Sequence, residues 1–283
     1  MTFALITPSY APDYERCRLL VESFERLVAT NTRHYLVVDR QDLAMFAPLA
    51  SSRVTVLVVE DLMPDWLIRD PARPESWQSL RTRPVTNWVL QQLVKMSVFQ
   101  AITEDIAIFC DSDNVFIRPF DPEKRLVTDG RLALFRVDHQ NEYLLAWRDT
   151  AVMLLGLTGR EIPVVNFVGN LICWRRANVF AMHARIEEAT GMNWLEAVCQ
   201  HEAVSEYVLY GLFVEHLMGV KIAGHEFFTG KLIKPSWGAN LGSPESMREF
   251  FADMDADYVG VMIHSKDNIP VDMYASMVRN FWK

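Results

Sequence analysis

The chain opens on an unbroken apolar run, Phe3-Ala4-Leu5-Ile6, that stops at Thr7-Pro8-Ser9-Tyr10. A short run of this kind closed by proline and serine predicts a buried strand. Over residues 13–30 the period changes, and Leu19, Leu20, Phe24 and Leu27 recur at helical spacing, which predicts a helix with one apolar face. The runs HYLVVD (34–39), VTVLVV (54–59) and IAIFC (106–110) predict three further strands. A second helix is expected over 85–102, where Val89, Leu93, Met96 and Phe99 are spaced by three and four. Parallel strands need crossover connections, so strands alternating with helices predict an α/β fold with a mostly parallel, Rossmann-like central sheet flanked by helices.

The second half is less regular. Residues 131–137, 167–174 and 257–264 read as strands, and 178–190 and 202–218 as helices. Residues 61–86, rich in Pro, Trp and Arg, read as a long irregular insertion, the kind of loop that often carries function. With no repeat, low-complexity tract or clear linker, the expectation is one compact domain. It divides into two subregions, 1–120 and 121–283.

Composition narrows the function. Half of the 283 residues are hydrophobic, enough for a large core, and the formal net charge is -8. An acidic chain is unsuited to general nucleic-acid binding, which relies on Lys and Arg neutralising phosphates, although one nucleotide in a pocket stays possible. Cys17, Cys110, Cys173 and Cys199 lie among apolar residues with no CxxC pair, which predicts buried free thiols in a reducing compartment. The first residues lack the basic lead and apolar length of a signal peptide, and no window approaches the roughly 20 apolar residues that span a bilayer. A cytoplasmic protein is expected, with peripheral membrane association left open.

In open parallel sheets, ligands bind beyond the carboxyl ends of the strands. That draws attention to residues 7–10, 39–41 and 111–113. At the last of these, a buried strand runs straight into Asp111-Ser112-Asp113. Two carboxylates at this spacing suit a hard divalent cation that keeps phosphate oxygens in its shell and offsets the charge of a diphosphate leaving group. A polar turn capping a strand is the other reading of the same residues. Arg83, Gln92 and Lys95 precede the turn and suit phosphate contact, or else an exposed helix face. Glu206, at the start of an apolar helix, is the candidate general base for an acceptor hydroxyl; a carboxylate favoured by the helix dipole is the alternative. Asn166, Gly169 and Asn170 suit a sugar or acceptor pocket, and Asp138, His139 and Gln140 follow another strand and suit donor-sugar contact. The tryptophans, Trp66, Trp77, Trp88 and Trp147 among them, read as core or interface more readily than as a sugar-stacking site. Asp253, Asp255 and Asp257 lack the following glycine and glutamate of a calcium loop and read as a solvated turn.

The segments LITPSYAPDYERC, HYLVVD, FCDSDNVFIRPF, VNFVGNLICW and SEYVLYG together resemble the GT-A class of glycosyltransferases, and within it the bacterial DUF6492-type family, over nearly the whole chain. The resemblance implies a GT-A-like fold and transfer of a sugar from a nucleotide-sugar, with UDP favoured, to a saccharide or other hydroxyl acceptor in polysaccharide biosynthesis. It further implies that Thr7, Pro8, Ser9 and Tyr10 line the base and ribose, with Tyr10 stacking, and that Asp39 accepts a hydrogen bond from the base edge. Asp111 would touch the ribose or the metal's water shell, and Asp113 would bind the metal, Mn or Mg, directly. His264 would supply a third metal ligand, and Lys266 would meet the diphosphate as a point charge. The chain departs from the glycogenin-like pattern, because Lys234-Pro235-Ser236-Trp237 precedes His264 rather than following it.

Three rival classes fit less well. A sugar nucleotidyltransferase carries a Gly-rich basic loop after its first strand, where this chain has TPSYAPDYER. A Rossmann dehydrogenase needs GxGxxG there. A non-catalytic carbohydrate-binding protein need not keep Asp111, Asp113 and His264 together.

Overall fold

The structure, a computed structural model, describes every residue except Gln140, so the donor-sugar contact expected of that residue lies outside the described residues. The fold is mixed α/β, with parallel strands and flanking helices. The chain forms two compact units interleaved in sequence: residues 2–58, 108–126 and 230–283 in one, and residues 1, 59–107 and 127–229 in the other.

In the first unit, β1 (Phe3–Pro8) pairs in parallel with β2 (Thr32–Val38), and β2 pairs in parallel with β3 (Val54–Val58). The connection from β1 to β2 is α1 (Tyr14–Leu27), which buries Leu19, Leu20 and Phe24 as the sequence periodicity requires. On the other side of β1 in the sheet order comes β4 (Ile106–Phe109), whose second half belongs to this unit. A second sheet is made of β5 (Asn114–Phe116), β6 (Ile233–Pro235) and β7 (Gly260–Met262), with β7 parallel to β6 and antiparallel to β5. Two amphipathic helices, α2 (Pro244–Ala252) and α3 (Asp272–Asn280), help build a core of Val115, Ile117, Met247, Val261, Tyr274 and Val278. Ser243 caps α2, and a 2.7 Å ion pair ties Arg279 of α3 to Glu22 of α1.

The second unit is dominated by helices, at Asn87–Ser97, Glu142–Leu154, Arg176–Thr190, Trp194–Cys199 and Glu206–Phe213. Here Arg131–Phe135 pairs in parallel with His225–Phe228 and antiparallel with Val127–Thr128. Residues 61–86 differ from the expected irregular loop, because Leu67–Arg69, Ser76–Ser79 and Val85–Thr86 form an antiparallel meander with Trp77 buried inside it. The strand expected over 167–174 is confined to Ile172–Arg175. The helix expected from 202 starts at Glu206, because the Ser205 hydroxyl accepts from the Val208 amide and sets the boundary there. All four cysteines are buried and free, as expected. Among the described residues, no helix is long and apolar enough to cross a membrane.

One close approach in this unit fixes a glycine. A Cβ built on Gly211 would lie 2.3 Å from the ring of Phe167, so the helix lies flat on that ring. Gly211→Ala is therefore expected to cost about 1–3 kcal/mol through overpacking, read as a lowered denaturant midpoint. An unchanged midpoint would show that the ring moves aside freely.

Candidate functional site

The candidate site lies in the first unit, where β1, β2 and β4 end. Beyond β1 the chain continues through Ser9, whose amide still donates to the Val37 carbonyl, to Tyr10, which is 51% exposed. The loop after β2 begins at Asp39 and carries Asp42, whose carboxylate accepts from the Ala11 amide at 2.9 Å. The segments holding Tyr10 and Asp39 are thus tied together, as strand order and period alone predict.

Thr7 departs from its expected place against a nucleotide. It is fully buried, its hydroxyl donates to the Cys110 carbonyl at 2.7 Å, and His34 Nε2 lies 2.9 Å from the same oxygen. Thr7 lies one residue before the end of β1 with its side chain turned into the sheet's interior, so it supports the loops and does not line a pocket. Ser112 is likewise turned inward, buried, with its hydroxyl donating to Asp13 Oδ2 at 3.2 Å.

Asp113 is the hub of the acidic turn. Its carbonyl accepts from the Ile263 amide at 3.0 Å, and its Oδ2 accepts from the Ser265 amide at 3.2 Å. Asn114, buried beside it, donates to Asp113 Oδ1 and to the Asp111 carbonyl. These bonds follow from the antiparallel pairing of β5 with β7, which carries residues 263–267 past the turn. The two sharpest sequence features, Asp111-Ser112-Asp113 and Ile263-His264-Ser265-Lys266, therefore meet. Lys266 is exposed at the edge.

Two residues that sequence reasoning missed complete the arrangement. Asp13 and Arg16 stand at the start of α1 and pair at 3.0 Å. Arg16 also donates to the carbonyls of Ser265 and Ile269, clamping the C-terminal segment onto the helix. In sequence, an aspartate ahead of a helix followed by an arginine three residues on reads as ordinary dipole and spacing chemistry. Nothing local reveals that Asp13 is buried against Ser112, or that Arg16 reaches the carbonyls of Ser265 and Ile269 some 250 positions away.

The electrostatics follow from crowding carboxylates in a partly dry place. Burial pushes the Asp113 carboxyl up to about 7; Asp111 and Asp13 push the same way, while the Ser265 amide and Arg16 pull it down. Burial also raises Tyr274, which packs close to Arg16, Asp113 and Asp13. Hard carboxylate oxygens whose ionisation is disfavoured suit a divalent cation, which would relieve both burial and mutual repulsion.

The expected third ligand is not assembled. Among the described residues, no group of three or more His, Cys, Asp or Glu side chains is placed to hold a metal ion. His264 instead donates its amide to Ser236 Oγ at 3.0 Å, and its Nδ1 lies 3.7 Å from Asp267 Oδ1. Asp113 and Asp111 are the carboxylates of the turn that a divalent cation there would have to use.

The other candidates belong to the second unit. Lys95 and Glu206, expected to serve phosphate and acceptor respectively, form an ion pair with each other at 3.0 Å, both side chains nearly fully buried. Lys95 Nζ also donates to the Tyr207 hydroxyl at 2.9 Å, and Gln92 Oε1 accepts from the Glu206 amide at 3.5 Å. Exposed-face chemistry for Gln92 and Lys95 is thereby corrected: the helix Asn87–Ser97 is buried on all sides from Gln92 onward. Arg83 pairs with Glu202 at the surface. Asp138 pairs with Arg136 at 2.8 Å and is largely exposed. Asn166 exchanges backbone hydrogen bonds with Val137, and its side chain accepts from the Val168 amide. Gly169 sits against Phe135, where a Cβ would come within 3.2 Å of the ring, and Asn170 follows, half-buried.

Comparison with known proteins adds a family and a distant likeness. A family model, that of the family of unknown function DUF6492, matches residues 3–282. No curated protein matches by sequence. Among solved structures, the apo form of mouse xyloside xylosyltransferase 1 aligns with a TM-score of 0.46 at 10% identity, covering 95% of this chain and 99% of that one.

Proposed function

The chain belongs to the DUF6492 family, and on that premise we propose that it is a metal-dependent glycosyltransferase that moves a sugar from a nucleotide-sugar, UDP-linked by preference, to a saccharide or other hydroxyl acceptor. One observation carries the reading. At the carboxyl edge of a parallel sheet, the Asp111-Ser112-Asp113 turn is stitched through Asp113 to the Ile263–Lys266 segment, which carries the exposed Lys266.

In this reading Asp113 and Asp111 hold a Mn or Mg ion, whose contribution is Lewis-acid neutralisation of the diphosphate as it leaves. The remaining work falls to the chain. Tyr10, half exposed after β1, offers a ring face for the base, and Asp39 offers an acceptor for an imide N–H of a pyrimidine. Lys266 places a compact positive charge near the diphosphate oxygens. Arg16 keeps the C-terminal segment closed on the turn, so that Lys266 and Asp113 stay in register. Asn166, Gly169 and Asn170 are taken to serve the sugar or acceptor, and Asp138 the donor sugar.

Calorimetric titration with UDP, GDP and CMP, each with manganese and again with a chelator, tests the proposal. Binding of one nucleotide, dependent on manganese, is the expected result. Absence of binding under both conditions would overturn it in favour of a non-catalytic protein, with the acidic turn a structural feature.

A further inference from the structure

Below the acidic turn runs a chain of two buried hydrogen bonds that no part of the proposed chemistry uses. His34 on β2 and Thr7 on β1 are both fully buried. Thr7 Oγ1 lies 2.7 Å from the Cys110 carbonyl and 2.9 Å from His34 Nε2. A carbonyl only accepts, so the single hydroxyl proton of Thr7 is committed to Cys110. Thr7 can then meet His34 only as an acceptor, which requires the proton of a neutral His34 to sit on Nε2. Burial, with Arg53 adding to it, keeps the ring neutral, its pKa pushed down to about 3. The ring is held in place by Phe24, 4.7 Å away, and its own amide bonds to the Arg53 carbonyl.

The carbonyl at the end of this chain is a particular one. Cys110 is the last residue before Asp111, and its amide still pairs with the Ile6 carbonyl on β1. Fixing both its N–H and its C=O fixes the peptide plane that leads into the turn. The direction in which the Asp111 backbone leaves the strand is set there.

We propose that His34 and Thr7 are positioning residues for the acidic turn: the relay His34 Nε2–H to Thr7 Oγ1–H to the Cys110 carbonyl aims Asp111 and Asp113. Outer partners of a metal-binding group matter in this way, since a carboxylate a fraction of an ångström out of place loses its cation. The consequence for cation binding rests on the transferase reading; the relay itself does not.

The test has two arms. Nitrogen-15 NMR of His34 is expected to show the proton on Nε2 from pH 5 to 8. A proton on Nδ1 would overturn the relay whatever the protein does. In the second arm, Thr7→Val removes the hydroxyl at nearly constant shape, and Thr7→Ser restores it. Thr7→Val is expected to weaken manganese-dependent UDP binding by about 10- to 100-fold and to move the Asp111 and Ser112 amide resonances. Thr7→Ser is expected to return both close to wild type, a rescue that mere filling of the core would not give. Wild-type binding and unmoved amides in Thr7→Val would refute the proposal. Should Thr7→Val fail to fold, His34→Gln, which keeps a donor, is compared with His34→Leu, which does not; equal behaviour of those two refutes it as well. If the wild type binds no nucleotide, the transferase reading fails, and the amide shifts still decide the relay.

Discussion

Asp113→Asn is expected to abolish manganese-dependent nucleotide binding and at the same time to make the metal-free protein more stable at neutral pH. Both effects come from one source. The Asp113 carboxyl is raised from 3.8 to about 7 by burial and by Asp111. Between those values the folded protein holds a proton that the unfolded chain has released. Stability then falls as pH rises, fully present below about 4 and lost by the time pH passes 7. Three pKa units correspond to roughly 4 kcal/mol at most, and relaxation around the carboxylate brings the expected effect to about 2–4 kcal/mol. Asparagine never ionises, and its Oδ1 still accepts from the Ser265 amide, so the variant avoids the penalty. Denaturant melts of both proteins at pH 4 and pH 8 without metal check this: the curves should lie close together at pH 4 and separate widely at pH 8, with pH 5 in between. Parallel behaviour at the two pH values would show that Asp113 is not penalised by its surroundings. Added manganese should stabilise the wild type at pH 8 and leave Asp113→Asn unmoved; equal nucleotide affinity in the two would remove Asp113 from the metal assignment. A residue that costs the fold stability at working pH is what a binding site requires and a mere turn does not.

The sequence made the skeleton of the first unit readable. Mainly apolar runs at 3–6, 35–38, 54–58 and 106–109 leave few alternatives to buried strands, and α1 shows its face through Leu19, Leu20 and Phe24. The acidic turn was legible because a polar pair breaks an apolar run at a strand end. What stayed hidden depended on distant contacts. Thr7 looks like a pocket residue because polar residues at strand ends usually face ligand, and only the proximity of His34 and Cys110 shows that it points inward. The helices at Pro244–Ala252 and Asp272–Asn280 bury only Met247, Phe250 and Phe251, and Tyr274, Ala275 and Val278, among polar and charged residues, a weaker signal than the strand runs. The role of Arg16 appears only when residues 265 and 269 are folded onto it.

Lys95 and Glu206 give the sharpest case of a site that reads one way in sequence and another in three dimensions. Glu206 at the head of an apolar helix looks like a general base, and Lys95 looks like a phosphate partner. In the fold they meet at 3.0 Å with side chains 4% and 2% exposed, and Lys95 also lies 4.5 Å from the centre of the Tyr207 ring. Removing one member of a buried pair leaves the other charge stranded at low dielectric, a loss of about 3–5 kcal/mol. Lys95→Met is therefore expected to unfold the protein at a markedly lower denaturant concentration. The double variant Lys95→Met/Glu206→Leu is expected to regain most of that stability, because neither charge is then buried, and the double-mutant cycle should give a large coupling. A general base behaves otherwise: its loss lowers turnover while the fold stays intact. Singles that each cost under about 0.5 kcal/mol would mean that the pair opens readily to water, and Glu206 would then be accessible to an acceptor hydroxyl. A large coupling instead makes the pair a brace between the helices Asn87–Ser97 and Glu206–Phe213, and the base for an inverting reaction must be sought among carboxylates with an open face.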